Sequence, residues 1–114
     1  MAEIIDHRLF HDAPIEAVRL VGDEVHFAVE EFSTGFDTPD MPPTTVSIRG
    51  IRSITRNGEP EKEFTPRLEF GAIYSIKKDT SGVTICIEWD GLSPRASDFG
   101  EYVFEGADVD VSLR

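Results

Sequence analysis

A chain of 114 residues, 39% hydrophobic and 29% charged, is long enough to bury one core and too short for two, and it has the composition of a globular protein rather than of a disordered tail or a membrane protein. Its 22 acidic against 11 basic side chains leave a net charge of -11, which excludes nucleic-acid binding as the main task because phosphate recognition needs clustered Lys and Arg. The one cysteine, Cys86, cannot form an intrachain disulfide, and no cysteine group has zinc-ligand spacing.

The N-terminus carries polar and charged residues where a signal peptide would place its apolar stretch, and no apolar run approaches the roughly 18 residues that cross a bilayer. A cytoplasmic protein without a membrane partner is expected. Asp6, His7, His11 and Asp12 form the densest group of ligating side chains. His7 and His11 would share one face of a helix and could hold a metal with Asp12, although Pro14 and the missing Glu after the first His fit that arrangement poorly. The competing expectation is that His11 and Asp12 pin the start of the first strand by hydrogen bonds. The best helical candidate is one turn over residues 12 to 16, with Asp12 as cap and Pro14 behind it.

From Val18 the chain alternates. Val18 and Leu20, then Val25, Phe27 and Val29, fall on one face around Gly22-Asp23, the signature of a tight hairpin. His26 falls on the outward face with Glu30 two strand steps away. Residues 33 to 45 hold three prolines and a glycine and must form a loop; its Phe36 and Met41 either fold back over the end of the sheet or serve a binding loop. Val46 and Ile48 restore the strand pattern, a bulge at Gly50 accounts for the phase change to Ile51 and Ile54, and Asn57-Gly58 marks a turn. Residues 59 to 63 read as a solvated loop, and Phe70, Ala72, Tyr74 and Ile76 as one face of a further strand. After a turn at residues 80 to 82, Val83, Ile85, Ile87 and Trp89 line the core face of the clearest strand, with Thr84, Cys86 and Glu88 opposite. Tyr102 with Phe104, and Val109 with Val111 and Leu113, supply short final strands. These elements predict a single all-β domain over residues 1 to 114, with little helix: an antiparallel sandwich, half-open barrel or curved sheet of about six to eight strands.

The run Phe10-His11-Asp12-Ala13, then Ile15, Val18, Leu20 and Gly22-Asp23, then Val46-Ser47-Ile48-Arg49-Gly50-Ile51 and Ile87-Glu88-Trp89, resembles a loose set of small bacterial β-rich domains, some of which look like immunity proteins of polymorphic toxin systems. The resemblance spans about residues 9 to 112. It implies a mostly β domain without catalysis in which the His-Asp step opens the first strand, and it transfers no catalytic residue.

Charge is uneven along the chain, with ten acidic and two basic side chains in residues 1 to 40. Such a pole keeps a protein soluble and also speeds the encounter with a basic partner. The expected function is therefore a non-enzymatic, immunity-like bacterial protein-binding domain that needs no cofactor and meets a basic protein through Asp23, Glu24, Glu30, Glu31, Asp37 and Asp40, with Phe36 and Met41 beside them. The alternative is a small-ligand or metal-binding module at His7, His11, Asp12 and the 33 to 45 loop. An exposed edge strand can pair with a symmetry mate, so a monomer and a homodimer both fit the chain.

Overall fold

The computed structural model describes residues 10–33, 40–92 and 95–114. Nine strands run through them: β1 (Ala13–Val21), β2 (Glu24–Val29), β3 (Thr44–Arg49), β4 (Ser53–Arg56), β5 (Glu59–Glu61), β6 (Phe70–Asp79), β7 (Gly82–Leu92), β8 (Arg95–Glu105) and β9 (Asp108–Leu113). They form one open antiparallel sheet in the order β5-β4-β8-β7-β6-β1-β2-β3-β9. The all-β expectation holds. The count is nine because Gly50 separates two strands and because residues 59 to 61, expected in a loop, pair with β4. Among the described residues no helix is long and apolar enough to cross a membrane.

Two short connections bend the sheet. β3 and β4 stand six steps apart in the strand order yet are joined by residues 50 to 52 alone, and β8 and β9, also six steps apart, by residues 106 and 107. Six steps across a flat sheet are about 29 Å, whereas the four Cα steps from Arg49 to Ser53 reach at most about 15 Å. The sheet therefore curls, and β5-β4-β8-β7-β6 faces β1-β2-β3-β9 across a shared core. Gly50, at φ 74°, is a corner between these halves and not a bulge within one strand.

The β1–β2 hairpin pairs Leu20 with Val25 and Val21 with Glu24 around Gly22-Asp23, and Gly22 takes φ 58° as such a turn requires. The proposed helical turn is absent: Asp12 sits at φ 54° and the strand begins at Ala13, so Pro14 lies within β1. It pairs with Ala72 near the end of a short contact between β1 and β6, where proline costs little. The β7 stripe is as expected, with Val83, Ile85 and Ile87 fully buried and Trp89 2% exposed. In β6 a register shift between Ile73 and Ser75 changes the phase, so Ile73 and Ile76 enter the core while Tyr74, expected beside Ile76, is 42% exposed.

Phe64 joins the two halves. It belongs to the segment between β5 and β6 and is 2% exposed, with its ring 5.2 Å from Phe27 on one half and 4.9 Å from Tyr102 on the other. Trp89 Nε1 donates to the Tyr102 hydroxyl at 2.9 Å, satisfying the buried indole. Phe10 and Phe32, 4.9 Å apart, cover the end of the core near the start of β1.

Candidate functional site

At the other end of the core the halves part and leave a groove of about 310 Å³. The β1–β2 hairpin supplies one wall through Leu20, Asp23, Glu24 and Val25; residues 51 to 54 and 61 to 64 supply the other. Ile51 N donates to Asp23 O at 3.1 Å, tying the Gly50 corner to the hairpin tip. Val25, Ile54 and Phe64 form a buried floor. Leu20 points to the core side as its alternation with Val25 requires, but the short β5 does not cover it, so it is 45% exposed at the groove mouth.

Four carboxylates line this groove, Asp23, Glu24, Glu61 and Glu63, against Arg52 and Lys62. Glu24 is held from the outer face: its Oε1 lies 2.9 Å from His26 Nε2 and 3.5 Å from Arg49 Nε. Arg49 reaches on to Asp110 at 3.4 Å. Arg52 lies against Gly106 and makes no ion pair with these carboxylates. Asp23, Glu61 and Glu63 make no ion pair with any described residue, which leaves negative potential over an apolar floor.

His26 does not pair with Glu30, which is exposed beyond the end of β2. Its Nδ1 lies 2.8 Å from Ser47 Oγ, and with Glu24 on Nε2 the three form a hydrogen-bonded chain. A Ser-His-carboxylate chain invites an acyl-transfer reading, but that chemistry also needs a reachable hydroxyl and donors for an oxyanion. Ser47 is 4% exposed. It lies in mid-strand, paired with His26 of β2 on one side and Asp110 of β9 on the other, so the strand's N–H groups are occupied by the ladder. The arrangement is a locked polar row on the outer face.

The acidic pole seen along the chain is divided in space. Asp23 and Glu24 stand at the groove, whereas Glu30, Glu31 and Asp40 are exposed beyond the opposite end of β2, about 20 Å away at strand spacing. Met41 folds back as one of its two expectations had it, half-buried against the core and bridged to Phe32 through both backbone N–H···O bonds. Phe36 and Asp37 lie outside the described residues, as do Asp6 and His7. His11 Nε2 is 3.5 Å from Asp12 Oδ2 with both side chains exposed, and its ring packs 4.7 Å from Tyr74. No group of three metal-ligating side chains occurs among the described residues.

A second polar cluster closes the far end of the core, where the Arg56 guanidinium pairs with Asp98 and Arg67 Nε stands 3.6 Å from the same carboxylate. Burial acts to lower the Arg56 pKa, but hydrogen bonding to Tyr102 and Asp98 outweighs it and holds the group above its ordinary value. Asp98 is thus occupied by two cations and serves packing. Sequence reasoning missed Glu61, Glu63 and Phe64 as groove residues; their only signal was a phenylalanine next to a charged run.

Comparison with protein-family models, curated proteins and solved structures gives no match.

Proposed function

We propose that the protein is a bacterial, non-catalytic interaction domain, immunity-like in its use of acidic surface, whose groove receives a basic segment of a cytoplasmic partner protein. The groove carries this reading. Val25, Ile54 and Phe64 offer an apolar floor for the stem of a long side chain, and Asp23, Glu61 and Glu63 surround it with carboxylates. Lysine and arginine have that amphipathic build, an aliphatic stem and a charged head. The carboxylates speed encounter and set orientation, and the floor contributes affinity. On this reading the curled sheet works as a half-open barrel with the groove at its mouth.

The test is capture from bacterial lysate by the tagged protein and by a variant carrying Asp23→Lys, Glu61→Lys and Glu63→Lys. A basic protein held at low salt, released at about 0.5 M salt where exposed charges are screened, and not held by the variant is the expected result. Equal capture by the variant, or capture of no basic protein by either, refutes the proposal.

A further inference from the structure

The outward face of β6, β7 and β8 carries a second surface, remote from the groove and facing away from the core. Phe70 and Tyr74 on β6 and Phe99 on β8 are 54%, 42% and 49% exposed. The Tyr74 and Phe99 rings meet edge to face at 5.9 Å; because β7 runs between their strands, that contact bridges over β7. His11 extends the ridge from the other side of Tyr74. Two touching aromatic rings left in water, with a third on the same face, are unusual on a small domain and mark a contact surface.

Carboxylates are interleaved with these rings by the register. Asp90 pairs with Phe70 and Ser97, Glu88 with Ala72 and Phe99, and Cys86 sits between Ser75 and Glu101. These three consecutive rows hold three carboxylates and no lysine or arginine. Glu88, Asp90 and Glu101 are themselves without an ion pair to any described residue. A second copy of the chain is a poor occupant, since a symmetric contact sets the three carboxylates against the same three. A cation suits both halves of the surface: guanidinium and ammonium groups are attracted to ring faces and to carboxylates together.

We infer that this face docks an extended segment bearing arginine or lysine at alternate positions. Side chains on one side of an extended chain recur about every 7 Å, the same repeat that separates Asp90 from Glu88 on β7. Such a segment lies along β7 with its cations between the carboxylates and against the rings of Tyr74 and Phe99. The surface lies apart from the groove, and residue-resolved shifts report the two sites separately.

The probe is an amidated peptide alternating arginine and serine, titrated into the isotopically labelled full chain by NMR, with a citrulline-for-arginine peptide as control. The expected result is a set of shifts at Phe70, Tyr74, Cys86, Glu88, Asp90, Phe99 and Glu101 that persists when Glu61→Lys and Glu63→Lys remove carboxylates from the groove, and none with the citrulline peptide. Tyr74→Ala with Phe99→Ala, both exposed and so compatible with the native fold, weakens binding about tenfold, taking a few-fold for each exposed cation–π contact. Glu88→Gln weakens binding at this face severalfold without removing a ring, and Glu61→Lys with Glu63→Lys in the groove leaves the shifts on this face in place. Shifts at the groove with none on this face, equal binding of the citrulline peptide, undiminished binding at this face by the aromatic double variant, or a concentration-dependent dimer that Phe99→Ala abolishes would each overturn the inference.

Discussion

Phe64→Ala removes a buried side chain that touches both halves of the curled sheet. Its ring is 2% exposed and lies 5.2 Å from Phe27, 4.9 Å from Tyr102, and 6.1 Å from each of Trp89 and Phe104. Truncating a buried phenylalanine costs about 3 to 5 kcal/mol, the larger values where the walls cannot collapse. Here the walls are sheet halves held by their own ladders, so the upper part of that range applies. Against a domain stability of about 5 to 15 kcal/mol, the loss is a large fraction of the total. Urea unfolding followed by the fluorescence of Trp89, the single tryptophan, reads it directly. With an m-value of about 1.5 kcal/mol per M, the midpoint falls by about 2 to 3 M. Phe64→Leu, which refills most of the space, falls by less than half as much. A double-mutant cycle with Phe27→Leu returns a coupling of about 0.5 to 1.5 kcal/mol. A midpoint within about 0.5 M of wild type for Phe64→Ala, equivalent to under about 1 kcal/mol, would mean that residues 62 to 69 do not enter the core, and the groove would lose its floor.

Gly71→Ala drives a Cβ into the Trp89 ring; overpacking of this kind costs about 1 to 3 kcal/mol, and the same urea experiment detects it, with a shift of the Trp89 emission. Asp79 accepts hydrogen bonds from the Ser81 hydroxyl, Ser81 N and Gly82 N, the hydroxyl foremost in holding its carboxyl below the usual range. Its stabilising contribution is complete above the ordinary aspartate pKa of about 4 and is lost as pH falls through the lowered folded value, so thermal midpoints of Asp79→Asn and wild type converge as the pH is taken down through that range. Cys86 is half-buried on the face spanned by the Tyr74–Phe99 contact; Phe99→Ala speeds its alkylation by a maleimide severalfold, and an unchanged rate would mean that the rings do not shield β7.

Much of the sheet was legible because its determinants are local. The hairpin at Gly22-Asp23 follows from turn chemistry, and the Val83 to Trp89 stripe from the two-residue period, both contained within a few neighbouring residues. The same period gave the wrong face for Tyr74, because the shift between Ile73 and Ser75 is set by pairing with β7 and not by β6 alone. Gly50 resembled a bulge for a related reason. Whether strand character after a glycine continues one strand or begins another depends on which strand it pairs with, and β4 pairs with β8, some fifty residues along the chain.

The candidate site was less legible still. Asp23 and Glu24 stood out by charge, but charge density along the chain does not say which acids share a surface, and β2 separates Glu30 and Glu31 from them. Glu61, Glu63 and Phe64 reach the groove only because two short corners curl the sheet and bring its halves face to face. Composition and alternation thus determined the class of structure, an acidic all-β chain with its core on alternate residues. Tertiary structure decided the corners, the burial of Phe64 and the grouping of carboxylates and aromatic rings, since each depends on pairing between strands distant in sequence, which no local pattern encodes.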